Sequence, residues 1–367
     1  MSVPVIGALS PIGRAFAVAT LVLTGVAVAL EFVVHLGDKT IVFLVSGLAI
    51  LGLAWIVGLA TERLGALTGP QVGGVLNATF GNIAELIIAF FALQAGLIEV
   101  VKASLTGSII GNLLLVLGAS VLIGGIRHGT QTFDQRVAGS NAALLVTAAI
   151  ALVIPAVFAF SGSREAGTLR EESVIISVLL IAGYVLSLIY QFTNPTRTLG
   201  AHEPAEGHGG PSWSTRTAVA VLLVAAAMLA VSSEILVGAI DPFIDSVGLS
   251  AFFVGVVVIP TIGNLAEHLV AVQLASKNRM EFAMAVCYGS SLQVALFVAP
   301  LLVLAGLAVG QPMDLVFRPL EVAAVGAAVG ISALIALDGE SNWLEGALLV
   351  IVYVILAGAF FELGRPT

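Results

Sequence analysis

Long runs of apolar residues alternate along the chain with short interruptions at charged, proline and glycine positions. Dividing the chain at these interruptions gives eleven apolar segments, and about 20 apolar residues are enough for an α-helix to cross a bilayer. The pattern therefore predicts an all-α polytopic membrane protein with 11 transmembrane helices. The predicted helices cover residues 14–36, 39–61, 71–97, 100–125, 135–158, 171–191, 215–238, 247–275, 280–308, 318–337 and 343–362.

One polar segment, residues 194–214, is rich in proline and glycine and is the clear linker of the chain. It separates a five-helix half, residues 39–193, from a second five-helix half, residues 215–367, and leaves residues 1–38 as an extra N-terminal helix. Because each half has an odd number of helices, the second half must enter the membrane upside down relative to the first. This is the inverted-repeat arrangement of many transporters, and we expect the two halves to form one packed unit.

The composition places the chain firmly in the membrane class. Hydrophobic residues make up 59% of the chain and charged residues 10%, whereas a soluble domain carries about 25% charge. The mean hydropathy is +1.11, and the 40 glycines suit helices that pack closely in lipid. We therefore expect a lipid bilayer as the environment. With a net charge of −8 and no basic patch, the sequence indicates no nucleic-acid partner. A homo-oligomer is left open.

The arginines and lysines between the predicted helices give a weak indication of orientation. Eight of them fall on the side of the N-terminus and six on the other side, which favours a cytoplasmic N-terminus under the positive-inside rule. The short termini suit a prokaryotic plasma membrane better than a vacuolar membrane.

A seven-residue motif occurs twice inside apolar segments, as Thr-Phe-Gly-Asn-Ile-Ala-Glu at residues 79–85 and as Thr-Ile-Gly-Asn-Leu-Ala-Glu at residues 261–267. Its glutamates, Glu85 and Glu267, lie 182 residues apart (267 − 85). A carboxylate at the centre of a bilayer costs about 2.5–3.5 kcal/mol even on a lenient scale, so such residues usually have a function. The duplication predicts a transporter with a cation site near the middle of the membrane.

The residue types in and after the motif point to a hard divalent cation. Glycine before asparagine weakens each helix, and backbone carbonyls can then face inward. Two carboxylates, carbonyls and water make an all-oxygen shell that suits Ca²⁺. The helix after each motif adds neutral side chains that can complete or orient the shell. These are Ser108, Asn112, Ser290 and Gln293.

The same pair of glutamates suggests the counter-ion. Without a metal, two close buried carboxylates repel each other and lose hydration, so both would take up protons. A site that holds either Ca²⁺ or protons, and changes sides only when it is loaded, is an exchanger. We therefore predict Ca²⁺ and H⁺ as the transported ions and no bound cofactor.

Other classes of protein fit less well. The chain has no His-Glu-x-x-His motif for an intramembrane metalloprotease, so we predict that it is not an enzyme. It also has no Walker A motif or aspartyl-phosphate module for an ATP-driven pump. A passive channel stays open, although glycine-interrupted helices favour a single occluded site.

The motifs also carry a resemblance to a known family. Gly-Asn-Ile-Ala-Glu at 81–85 and Gly-Asn-Leu-Ala-Glu-His at 263–268 resemble the paired alpha-repeat motifs of the Ca²⁺/cation antiporter superfamily. Further segments resemble its Ca²⁺/H⁺ exchanger branch, namely Leu-Asn-Ala-Thr-Phe at 76–80, Gly-Ser-Ser-Leu-Gln at 289–293, Arg-Pro-Leu-Glu at 318–321 and Asp-Gly-Glu-Ser-Asn-Trp-Leu-Glu-Gly at 338–346. The resemblance runs in order from the second predicted helix to the last.

This resemblance implies ten core helices in two inverted halves plus one extra helix, and alternating access with Glu85 and Glu267 as central ligands of Ca²⁺ and protons. It also implies metal ligation by carbonyls near Gly81 and Gly263, with the four neutral side chains named above close by. Four further residues are expected on the ion or proton pathway: Glu62, Glu234, Asn82 and Asn264.

Two alternatives of coupling remain, a Na⁺/Ca²⁺ exchanger and a broader divalent-cation (Mn²⁺)/H⁺ exchanger. Na⁺/Ca²⁺ exchangers tend to place aspartate where Asn112 and Gln293 stand here, and fewer carboxylates favour H⁺ over several Na⁺ ions. His268 adjoins Glu267 but points about 100° away from it around the helix, so we expect it to be a bystander.

Overall fold

The computed structural model describes residues 9–34, 38–162, 166–194 and 213–363. The predicted linker, and with it most of residues 194–214, lies outside the described residues. Within the described ranges the chain is almost entirely helical. The helices are α1 (Pro11–Phe32), α2 (Lys39–Thr68), α3 (Pro70–Phe80), α4 (Ile83–Gln94), α5 (Ile98–His128), α6 (Gln135–Phe160), α7 (Ala166–Thr193), α8 (Thr215–Gly238), α9 (Ile240–Val247), α10 (Ala251–Ser276), α11 (Met280–Ala308), α12 (Pro319–Asp338) and α13 (Trp343–Leu363).

Ten of the helices in these ranges are long and apolar enough to cross a membrane. The third predicted span, residues 71–97, is not one of them, because it is divided into α3 and α4 at Gly81-Asn82. The other ten predicted spans each match one long helix to within a few residues. The protein is therefore a multi-pass membrane protein, as the apolar pattern predicted.

Three of the long helices contain a π-helical turn. The turns cover Gly111–Val116 in α5, Val254–Val258 in α10 and Val294–Val298 in α11. A π turn inserts one residue into the helical hydrogen-bond pattern and is common at functional sites. The turns in α5 and α11 lie at nearly the same distance after the two copies of the motif, so they belong to the internal repeat.

The described residues form two compact units. The first takes its residues from Met1–Ala95, Ala201–Gly248 and Ile262–Ala266. In it, α2 packs along α8, and α1 packs on α2. Gly52 of α2 lets α1 approach, since a Cβ there would lie 2.0 Å from Thr20 Oγ1. The α2–α8 contact buries an apolar core that consists of Val57, Ala60, Leu64, Trp213, Ala218, Leu222 and Ala225.

The second unit takes its residues from Gly96–Gly200, Leu249–Thr261 and Glu267–Thr367. Its helices approach one another at glycines. A Cβ on Gly346 of α13 would lie 2.2 Å from the backbone nitrogen of Leu122 in α5, and one on Gly125 of α5 would lie 2.4 Å from that of Trp343. Small residues at such crossings let helix backbones touch, which replaces the hydrophobic driving force that lipid does not supply.

Two short strands are the exception to the all-α prediction. Gln131–Thr132 and Glu340–Ser341 pair antiparallel, with Gln131 opposite Ser341. The Gln131 side chain also donates to the backbone oxygen of Ala275 at 3.0 Å. Two residues per strand are too few to leave an alternating pattern in the sequence.

A buried carboxylate ties α12 to α5 in the second unit. Glu321 is 2% exposed, and its Oε1 accepts a hydrogen bond from Thr106 Oγ1 at 2.9 Å. Its Oε2 accepts from the backbone nitrogen of Arg318 at 2.8 Å, so both oxygens are used.

Replacing Thr106 with valine is expected to destabilise the protein, because valine has nearly the same shape but leaves Glu321 Oε1 without its donor. A buried acceptor that loses its partner costs about 1–3 kcal/mol. Thermal unfolding of the purified protein in detergent measures the effect, with Thr106→Ser as the control that keeps the hydroxyl. Equal stability of the valine and serine variants would contradict the prediction.

Candidate cation site

The first copy of the motif forms a helix start in the first unit. The backbone leaves the α-helical conformation at Asn82, with φ −102° and ψ 28°, and α4 begins at Ile83. Glu85 lies in the first turn of α4 and is 8% exposed. The free N–H groups at a helix start carry a partial positive charge that favours a carboxylate there. The predicted opening of the backbone at Gly81-Asn82 is confirmed.

Glu85 is held by the second copy of the motif. Asn264 is 2% exposed, and its Nδ2 donates a hydrogen bond to Glu85 Oε1. The backbone of Gly263 passes beside the same side chain, since a Cβ on Gly263 would lie 3.1 Å from Glu85 Cγ. The structure thus brings three predicted site residues together, and they come from the two ends of the internal repeat.

The second copy of the motif does not open in the same way. α10 is helical without a break through Gly263 and Asn264, so the predicted opening of the backbone at Gly263 is wrong. The irregularity of α10 lies earlier, in the π turn Val254–Val258, and Pro260 follows it. A proline lacks the N–H that a regular helix needs, so it displaces the distortion towards the preceding turn.

The second unit holds the other predicted oxygen ligands. Asn112 lies in the π turn of α5, and Ser290 lies one turn before the π turn of α11. Both are buried, and Asn112 Nδ2 donates to Ser290 Oγ at 3.0 Å. Ser108 is also buried, one turn before Asn112, whereas Gln293 is half-buried directly before its π turn. Glu267 is half-buried on α10.

His268 is a residue whose place the sequence argument missed. Its Nε2 lies 3.1 Å from Asn112 Oδ1, so the expectation that His268 is a bystander is wrong. The argument from the helical wheel considered α10 alone. It could not know that α5 lies on the side to which His268 points.

Glu62 and Glu234 occupy equivalent places on α2 and α8 of the first unit. Both are exposed, whereas their neighbours Thr61 and Ser233 are buried. A step of one residue turns a helix by about 100°, which explains the change from buried to exposed. Their assignment to the ion pathway stays a prediction, as do the ligand roles of the residues described above.

The ten apolar helices and the duplicated sites of buried oxygens define an ion transporter of the membrane. Residues 39–193 and 217–361 match the model of the sodium/calcium exchanger protein family, and the chain belongs to this family. Membership makes the protein a transporter and not an enzyme, as the sequence predicted.

Individual relatives agree with this. The chain is 46% identical over 350 residues to a Ca²⁺/H⁺ antiporter of Synechocystis sp., which covers 90% of this chain and 94% of the relative. It is 42% identical over 331 residues to the Ca²⁺/H⁺ antiporter ChaA of Bacillus subtilis, covering 89% and 93%. Among solved structures, native YfkE is 37% identical with a TM-score of 0.81, covering 95% of this chain and 99% of that one. The resemblance to the Ca²⁺/H⁺ exchanger branch is confirmed.

Proposed function

We propose that the protein is a secondary active antiporter that exchanges cytoplasmic Ca²⁺ for H⁺ by alternating access, with Glu85 and Glu267 serving both ions. The observation that carries the proposal is Glu85, a buried carboxylate at a helix start whose oxygen is bonded by an asparagine from the second copy of its own motif. The relatives named Ca²⁺/H⁺ antiporter, at 42–46% identity, support the choice of ions.

The chemistry of the donors supports Ca²⁺ as one of the ions. Carboxylates, amide oxygens and hydroxyls are hard oxygen ligands, and Ca²⁺ takes six to eight of them. Around Glu85 these groups include the backbone near Gly81 and Asn82, and in the second unit they include Asn112 and Ser290. A protonated carboxyl is neutral, so protons can replace the metal without leaving buried charge uncompensated.

The two inverted halves, 39–193 and 215–367, and the count of 11 membrane segments remain part of the proposal. α3 and α4 together would form the eleventh segment, broken at Gly81-Asn82. Two features support the inverted repeat: the family model matches in two ranges that follow these halves, and π turns follow both copies of the motif. The extra helix would be α1.

We also propose a bacterial plasma membrane as the location, with the N-terminus in the cytoplasm. Relatives from a cyanobacterium and from Bacillus subtilis support the bacterial setting. The small excess of basic residues on the side of the N-terminus supports the orientation.

The test of the function is Ca²⁺ uptake into proteoliposomes that are loaded with acid, with and without external Na⁺. We expect uptake that needs the pH gradient, stops when a protonophore collapses it, and is indifferent to Na⁺. Uptake driven by a Na⁺ gradient would favour the sodium-coupled alternative. Faster Mn²⁺ than Ca²⁺ uptake would favour the broader exchanger, and uptake indifferent to both gradients would favour a channel.

Replacing Asn264 with alanine is expected to weaken Ca²⁺ uptake, because Glu85 loses the donor that orients it. A hydrogen bond to a charged group is worth about 1.5–3 kcal/mol, so the KM for Ca²⁺ is expected to rise about 10- to 100-fold. Asn278→Gly is the matched control, since Asn278 has a φ of 59° that glycine accepts and lies outside the motif. An unchanged KM in Asn264→Ala would contradict the prediction.

A further inference from the structure

Three side chains from three helices form a hydrogen-bonded chain in the second unit. His268 of α10 contacts Asn112 of α5, with Nε2 3.1 Å from Oδ1. Asn112 in turn donates from Nδ2 to Ser290 Oγ of α11 at 3.0 Å. Asn112 and Ser290 are buried, and His268 is half-buried. Asn112 is therefore gripped from both ends of its amide.

The chemistry of an amide gives this chain a direction. One end of the Asn112 side chain is a carbonyl oxygen that can only accept, and the other is a nitrogen that can only donate. Because the nitrogen donates to Ser290, the oxygen faces His268, and His268 Nε2 must donate to it. If the amide turned over, its nitrogen would face His268 instead, and Ser290 would have to give its hydroxyl proton to the Asn112 oxygen.

The orientation of the amide decides which oxygens are available to a cation. In the orientation described, the Ser290 hydroxyl proton is free to point away, and a second lone pair remains on both Ser290 Oγ and Asn112 Oδ1. In the reversed orientation, the nitrogen of Asn112 replaces its oxygen on the side of His268, and a donor repels a cation. A mixture of the two orientations would therefore weaken binding.

We propose that His268 is a positioning residue that fixes the Asn112 amide and, through it, the oxygens that Asn112 and Ser290 present to Ca²⁺. The inference rests on the proposed function for the identity of the cation. Groups behind a ligand that orient it in this way typically contribute 10- to 100-fold to metal affinity. His268 thus determines affinity and specificity without touching the ion.

Glutamine and asparagine distinguish this role from simple filling of space. The terminal nitrogen of glutamine can occupy the place of histidine Nε2, whereas the nitrogen of asparagine reaches the place of Nδ1 and stops short of Asn112. If His268 positions the amide, His268→Gln preserves function and His268→Asn does not. If His268 only fills space, both variants and His268→Leu change the basal stability and leave the response to Ca²⁺ intact.

The experiment measures the rise in melting temperature of the purified full chain in detergent as Ca²⁺ is added, which reports affinity without transport. We expect the apparent affinity for Ca²⁺ to fall about 10-fold or more in His268→Ala and His268→Asn. His268→Gln is expected to stay within about threefold of the wild type. His128→Ala is the control, because His128 contacts the backbone oxygen of Ser276 and not Asn112.

A second set of variants tests the route through Asn112. In an Asn112→Ala background, His268→Ala is expected to add no further loss, since coupled residues are not additive. Equal Ca²⁺ affinity in all His268 variants, a His268→Gln variant as weak as His268→Ala, or additive losses would each overturn the inference. If the wild type responds to Mn²⁺ and not to Ca²⁺, the proposed function fails, and the same series read with Mn²⁺ still decides the role of His268.

Discussion

Glu85→Gln and Glu267→Gln are each expected to lower pH-driven Ca²⁺ uptake by at least about 100-fold. Glutamine keeps the size and one carbonyl oxygen, but it carries no negative charge and takes up no proton. Breaking a buried charge interaction by removing one partner costs about 3–5 kcal/mol. The substitution also removes the group that would exchange Ca²⁺ for protons, so transport suffers even at saturating Ca²⁺.

Initial rates of uptake into acid-loaded proteoliposomes measure this, with equal protein incorporation verified for each variant. Glu99→Gln is the matched control, because Glu99 belongs to the same repeat but forms an exposed ion pair with Arg318. Exposed pairs contribute about 0–1 kcal/mol, so this control is expected to transport normally. Normal uptake in either Glu85→Gln or Glu267→Gln would contradict the assignment of that residue.

Gly107→Ala is expected to prevent normal folding, although alanine is the better helix former. A Cβ on Gly107 of α5 would lie 2.0 Å from the backbone oxygen of Val256 in α10 and 2.7 Å from Pro260 Cγ. A backbone atom cannot turn aside as a flexible side chain can, so α5 and α10 would have to separate. Overpacking of this kind costs about 1–3 kcal/mol and occasionally more.

The internal repeat supplies the control for this prediction. Gly289 is the counterpart of Gly107 in the second half, and a Cβ there would meet no atom within 4 Å. Gly289→Ala is therefore expected to be neutral or to stabilise the protein by up to about 1 kcal/mol, the difference in helix propensity. The yield of monodisperse protein and its melting temperature measure both variants. Equal behaviour of Gly107→Ala and Gly289→Ala would contradict the close crossing of α5 and α10.

The apolar pattern was sufficient to predict most helices, because a membrane span needs a long uninterrupted apolar run. It failed at residues 71–97, where composition continues across a break in the backbone. Gly81-Asn82 carried the local signal for that break. The π turns left no comparable signal, since one inserted residue changes the hydrogen bonds of a helix without changing its hydrophobicity.

The candidate site was predictable as far as the sequence repeats itself. The duplication indicated Glu85, Gly263 and Asn264, and the structure brings these three together. The partner of each group was not predictable, because hydrogen bonds between helices depend on how the helices cross. His268 shows this most clearly, since its role follows from the position of α5 and not from its own helix.

Proton release on Ca²⁺ binding tests the central claim that the same carboxylates serve both ions. Ca²⁺ is added to the purified protein in weakly buffered detergent solution near the pH at which half of the transport activity remains, and the released protons are titrated. We expect the wild type to release protons in step with Ca²⁺ binding and Glu85→Gln and Glu267→Gln each to release fewer. Ca²⁺ binding without proton release, or release that neither substitution reduces, would contradict the shared carboxylates.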